Sequence, residues 1–149
     1  MRNFAFILIF ASATCIAKPA LTVLCEEPIG TRYDQVNGVV RIKTDGFTGV
    51  KPVFIFDDEK PKILTFIWGP AEWAQRELGV KPSAQEANII SSTEEKITAI
   101  RIEEGGVTHM YSLYPSRSLI FFTQHRFITL TGGVPTSSTF YAKCTFNRG

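Results

Sequence analysis

Two cysteines near opposite ends of the chain, Cys25 in "LTVLCEEPIG" and Cys144 in "FYAKCTFNRG", constrain the fold more than any other feature. A third, Cys15, lies in "MRNFAFILIFASATCIA", which has one cation at Arg2, an uncharged and mostly apolar run from Asn3 to Ala17, and a small residue before Lys18. That is the layout of a secretory signal peptide. The apolar stretch Phe4 to Ile16 is too short for a membrane helix, which needs about twenty residues. A lipoprotein-type cysteine is disfavoured because Ser12, Ala13 and Thr14 precede Cys15 without the leucine of such signals. Cleavage after Ala17 is therefore expected, with residues 1–17 as signal and 18–149 as a single β-rich domain.

Removal of the signal takes Cys15 with it and leaves an even pair. In an exported chain such a pair reads as a disulfide. No CxxC spacing is present, and no histidine lies close in sequence to either cysteine, which argues against a redox pair or a metal site. A Cys25–Cys144 bridge closes a loop of about 120 residues, for which chain entropy gives about 4–5 kcal/mol. It also requires the first and last strands of the domain to be neighbours. The expected location is periplasmic or secreted.

The remainder of the chain has the periodicity of short strands rich in Val, Ile, Phe, Thr and Tyr, separated by Gly, Pro and Asp turns. Strands are predicted at 21–26, 31–36, 38–44, 50–56, 62–68, 87–92, 97–103, 107–114, 119–128 and 138–146. Asp45-Gly46 and Gly105-Gly106 suit tight hairpin turns, since both supply positive φ. In "GPAEWAQRELGVKP", Pro70 suits a first helical position and Gly79 a C-terminal cap, so a short helical insert is predicted near 70–79. The fold class is mainly β: an antiparallel barrel or curved sandwich of about 8–10 short strands. Such an architecture resembles lipocalin-like barrels and periplasmic lysozyme inhibitors in general shape; no motif of either is present, and no functional position carries over.

A two-residue turn at Gly105-Gly106 sets Ile102 opposite His109 and Ile100 opposite Tyr111, and the loop 115–118 sets His109 beside Gln124 and Tyr111 beside Phe122. The expected core face then carries Ile100, Ile102, Tyr111, Leu113, Ile120 and Phe122. Arg101, Met110, Ser112, Phe121, Thr123 and His125 take the other face, with the helix and Trp73 as its expected cover. The two histidines point to opposite faces, so no shared metal is expected.

Function is thinly signposted. Sixteen basic residues against fourteen acidic ones, evenly mixed, disfavour a nucleic-acid partner. Strands of this length fit an outer-membrane barrel poorly, and no membrane span is expected in the mature chain. No GxSxG, HExxH or glycosylation motif occurs. Asp57, Asp58 and Glu59 read as a solvated turn, and "TGGVPTSST" reads as a loop without the GK[ST] ending of a phosphate cradle. "WGPAEW" places Trp68 and Trp73 astride Gly69-Pro70, a pairing suited to packing or to gripping a flat ligand. The expected function is a non-enzymatic binding module for a protein or small apolar ligand, with Trp68, Trp73 and His125 as candidate contacts and no catalytic residue, metal or cofactor. The alternative is a small secreted hydrolase using His125 with Glu103 behind it.

Overall fold

The alternating patterns resolve into ten strands, all antiparallel to their neighbours, in a computed structural model that describes residues 21–69, 72–79, 81–128 and 133–149. The signal-like stretch 1–17 lies outside the described residues. The strands are β1 (Leu21–Cys25), β2 (Ile29–Val36), β3 (Val39–Gly46), β4 (Val53–Phe56), β5 (Ile63–Trp68), β6 (Ser83–Ser92), β7 (Ile97–Ile102), β8 (Thr108–Tyr114), β9 (Leu119–Ile128) and β10 (Val134–Arg148). One short helix, α1 (Glu72–Leu78), interrupts the sheet between β5 and β6, where the insert was predicted.

The sheet order is β1-β4-β5-β6-β7-β8-β9-β10-β2-β3, and an additional β1–β10 pairing closes it. The result is an eight-stranded antiparallel barrel, not a sandwich, with β2 and β3 as an attached ribbon. Closure depends on the 15-residue β10. Along one of its edges residues 134–143 pair with β9; along the other, residues 136–141 pair with β2 and residues 144–148 with β1. Cys25 and Cys144 are directly opposed at this fork, with Cα atoms 4.0 Å apart and the sulfurs joined at 2.04 Å. The predicted disulfide is thus present, and it fastens the point where β10 changes neighbours.

The barrel interior is apolar. Val23, Phe54, Leu64, Phe66, Ala99, Tyr111, Leu113, Ile120, Phe122 and Phe140 point inward and are buried. Burial of each large side chain of this kind is worth roughly 1.5–3 kcal/mol. Membrane-spanning barrels have the opposite arrangement, with apolar side chains outward. The rings pack at tilted and offset angles: Phe66 and Tyr111 have centroids 4.8 Å apart, and Phe122 and Phe140 also 4.8 Å. No helix of the described residues is long and apolar enough to cross a membrane.

Two local constraints shape the ribbon. Asn37 and Gly38 both have positive φ, at 53° and 77°, and turn β2 into β3 with Val36 opposite Val39. The hairpin is therefore at Asn37-Gly38, and Asp45-Gly46 instead ends β3, correcting the sequence expectation. Gly30 is opposite Phe140, and a Cβ there would fall 2.0 Å from the Thr139 carbonyl oxygen, so only glycine lets β2 lie against β10. β10 begins at Val134, four residues before its predicted start, despite Pro135. Ladder alternation turns the missing Pro135 N–H towards β2, whose pairing stops at Thr136, so no hydrogen bond is lost there.

The largest departure from expectation is in β7. The hairpin to β8 is wider than two residues: the Glu103 N–H donates to the Val107 carbonyl, and the Gly106 N–H donates back to that of Glu103. Ile102 consequently pairs with Thr108, Arg101 with His109 and Ala99 with Tyr111. A shift of one residue turns every side chain of a strand over. Ile97 and Ala99 enter the core, and Ile102, expected inside, is 70% exposed. The β8–β9 register is as expected, with Tyr111 opposite Phe122 and His109 opposite Gln124. On the outer face of β8 and β9, Met110 and Phe121 are each 41% exposed; the Trp73 side chain, expected to cover this face, lies outside the described residues.

If the disulfide anchors barrel closure, Cys25→Ser/Cys144→Ser should lose up to about 4–5 kcal/mol in urea unfolding, with β-sheet circular dichroism retained at low urea. A loss under about 1 kcal/mol would show that strand pairing alone closes the barrel.

Candidate functional site

The slip in β7 has a chemical consequence. It carries Arg101 and Glu103 into the barrel at the end where β7 and β8 are joined, beside His109. The same end receives Trp68 from the last position of β5, Gln85 from β6, and Gln124 from β9. Together with Phe47, Glu103, His109, Tyr111 and Phe122, these residues line a cavity of about 220 Å³ in the barrel mouth.

Phe47 is here because the ribbon leaves the barrel. β3 does not pair with β4, and the segment between them folds back across the gap, tied by the Phe47 N–H to the Pro28 carbonyl and the Val50 N–H to the Phe47 carbonyl. The Phe47 ring then lies 4.9 Å from Trp68, 4.8 Å from Phe140 and 5.8 Å from Phe122. The cavity thus has aromatic walls of Phe47, Trp68, Phe122 and Tyr111. Tyr111 is almost fully buried, and burial pushes its pKa up to about 12 against the opposing influence of the Trp68 indole N–H.

The rim is polar and incompletely satisfied. Arg101 Nη1 lies 3.1 Å from Glu103 Oε1 and donates to Gln85 Oε1, while its guanidinium stacks 5.8 Å from the Phe66 ring centroid. The same Glu103 oxygen is 3.2 Å from His109 Nε2. That contact is close but off the N–H direction, so Nε2 is buried without an aligned hydrogen-bond partner. Arg126 Nε is likewise buried without a partner, and among the described residues no carboxylate forms an ion pair with Arg126. Burial lowers the His109 pKa from its ordinary 6.5; Glu103 opposes that shift, and Arg101 and Arg126 reinforce it. The imidazole is therefore neutral at pH 7.

Beside the mouth, the inner face of the ribbon carries its own charges. Asp34 accepts from Arg32 Nε at 3.0 Å and from Thr136 Oγ1 at 3.1 Å, and Arg32 also reaches Asp45 at 3.5 Å. Burial pushes the Asp34 carboxyl upward, but the bonds from Thr136 and Arg32 outweigh it and hold the group below its ordinary range.

Of the residues singled out from sequence, Trp68 is in the mouth and His125 is not. His125 is on the outer face of β9, exposed, with Nδ1 3.2 Å from Ser137 Oγ. Glu103 and His125 were expected on one surface; they are on opposite faces, because the wider hairpin turns Glu103 inward, where it meets His109 instead. The two histidines do face opposite ways, and among the described residues no three His, Cys, Asp or Glu side chains gather as a metal site. Sequence reasoning missed His109, Gln85, Gln124, Arg101 and Phe47. The one signal available was the parity of the "EEGGV" loop, since an odd loop brings Arg101 beside His109.

Comparison with protein-family models and with curated proteins finds no match to this chain. The fold and the mouth therefore define only a class: a small, disulfide-closed antiparallel β-barrel with an amphipathic mouth cavity.

A folded His109 held neutral binds fewer protons than an unfolded one below its ordinary pKa. Its contribution to stability is full above about pH 6.5 and declines as pH falls through and below that value. The urea midpoint should fall more steeply between about pH 7 and 5 for the natural protein than for His109→Gln. Parallel curves would show that the imidazole is not held neutral.

Proposed function

We propose that the protein is an exported, non-enzymatic binding module whose barrel mouth takes a compact ligand with a flat apolar body and an acidic head. The observation that carries this reading is an aromatic-walled cavity lined by His109, whose Nε2 is buried without an aligned hydrogen-bond partner, with the buried and unpartnered Arg126 Nε two residues beyond the lining Gln124 on the same face of β9. Buried polar atoms are normally satisfied, and each one left alone costs about 1–3 kcal/mol. A ligand acceptor group in the cavity would satisfy the His109 nitrogen and draw on the charge of Arg126 beyond it. Arg101 and Arg126 outnumber Glu103 in charge, and His109, neutral in the free protein, can take up a proton beside a bound anion, which favours a carboxylate or similar anion over a cation. The size of the cavity fits a ligand of one or two rings rather than a fatty chain. The disulfide and the signal-like leader support export to the periplasm or beyond.

A hydrolase built on His125 and Glu103 lacks support from this geometry, since the two side chains are on opposite faces. Among the described residues lining the mouth there is no Ser, Thr or Cys that His109 could activate.

Isothermal titration calorimetry with 1-naphthoate, 1-naphthylmethanol and 1-naphthylmethylamine separates the head-group classes on one ring system. Naphthoate should bind with a Kd of about 10⁻⁵–10⁻⁴ M, and the alcohol and amine at least about tenfold more weakly. Naphthoate should also take up protons at pH 7, and its advantage should be lost in His109→Gln and Arg126→Gln. Equal binding of all three, or no binding of naphthoate at millimolar concentration, would overturn the proposal.

A further inference from the structure

Among the described residues β3 is the only strand of the ten-stranded sheet with a single neighbour. Every other strand has a neighbour on each side, β10 having β9 on one and β2 and β1 on the other. The alternation along β3 is fixed by the Phe47 N–H bond to the Pro28 carbonyl and by Val36 opposite Val39: odd-numbered residues of β3 bond to β2. The backbone N–H and C=O groups of Val40, Ile42 and Thr44 therefore point out from the free edge.

The side chains along this edge are sorted by face. Val40 and Ile42, 61% and 67% exposed, stand on one face with Thr44, and Arg41 and Lys43 stand on the other. Neither cation forms an ion pair among the described residues, although the Lys43 charge is felt at Asp34. The nearby carboxylates are already held, Asp34 and Asp45 by Arg32, with Thr136 also bonded to Asp34. Natural edges are blunted by proline, bulges, a covering element or charged side chains such as lysine; of these β3 has only its cations, Arg41 and Lys43, in a regular run of eight residues of which all but one are exposed, so an approaching strand must bring acids to meet them.

We infer that the β3 edge is a strand-addition site for an extended peptide segment in which acidic residues alternate with apolar ones. Such a strand would bond to Val40, Ile42 and Thr44, set its acids against Arg41 and Lys43, and lay its apolar side chains beside Val40 and Ile42. A second copy of this chain is a poor occupant. Antiparallel self-pairing centred on Ile42 opposes Arg41 to Lys43 on both sides of the axis, and pairing centred on Lys43 opposes two lysines, with Asp45 already bonded to Arg32. This site is independent of the barrel mouth and of the ligand proposed for it.

The test is backbone amide NMR with hydrogen exchange on the oxidised protein. The probes are a short synthetic peptide alternating valine and glutamate, its valine–lysine counterpart, and a block-ordered peptide with the composition of the first. The valine–glutamate peptide should bind and protect the amides of Val40, Ile42 and Thr44, and the block peptide should not. Arg41→Glu/Lys43→Glu should weaken it about tenfold or more and make the valine–lysine peptide the better ligand. Because both substituted residues are exposed, the variant's unchanged amide spectrum elsewhere confirms folding. Lack of protection at millimolar peptide, binding indifferent to the charge swap, or concentration-dependent self-association through β3 would each overturn the inference.

Discussion

The pairing of β1 with the end of β10 is the interaction on which the rest of this structure depends. Without it the sheet is an open ribbon, and the inward row of Val23, Phe54, Phe66, Tyr111 and Phe140 has no opposite wall to pack against. The pairing is short, Leu21 to Cys25 against Cys144 to Arg148, and its inner end is the fork at which β10 exchanges β1 for β2. Strand pairs fray from such ends. The Cys25–Cys144 bond ties the fork itself, so fraying at the barrel seam is checked where the ribbon departs. The departure also makes the mouth: a wall built of the ribbon and the 47–52 segment brings Phe47 inward and leaves a cavity where a plain barrel would close over its core.

A polar cluster in that position is a poor device for stability. Paired charges withdrawn from water seldom add more than well-packed apolar side chains of similar size would. Arg101 and Glu103 meet in a half-buried site, Gln85 and the Phe66 face hold the guanidinium, and His109 and Arg126 are left with buried nitrogens that have no aligned hydrogen-bond partner among the described residues. The neighbouring core, by contrast, is packed with rings in favourable offset geometries. Such local disagreement between polar satisfaction and an otherwise consistent barrel is the usual mark of a binding site. It is the physical basis for reading the mouth as the working end of the protein.

Much of the architecture was legible in the sequence. Alternation and turn residues marked ten strands and the short helix, and the pair of cysteines required the terminal strands to meet. The errors share one cause: strand registers depend on loop parity, which dipeptide signals do not fix. "EEGGV" holds two glycines that suit a two-residue turn, and the even face of β7, with Ile100 and Ile102, is the more apolar. The wider loop instead selects the face of Ile97, Ala99, Arg101 and Glu103. Pattern alone could not choose, because Ile102 tolerates the surface while the charges of Arg101 and Glu103 find each other and His109 inside. Asp45-Gly46 was expected to turn a hairpin, but the turn is at Asn37-Gly38, where Val36 pairs with Val39. Phe47, beyond the end of β3 with no periodic context, carried no sign that it would enter the barrel.

The central claim is that the mouth holds a neutral, buried His109 poised for an acidic ligand, and the imidazole resonances of the two histidines test it most directly. In a pH titration followed by NMR, the ring of His109 should titrate below 6.5 in the free protein, and saturating 1-naphthoate should raise that pKa. Titration of His109 at or above 6.5 in the free protein, or a His109 pKa unmoved by saturating naphthoate, would contradict the account.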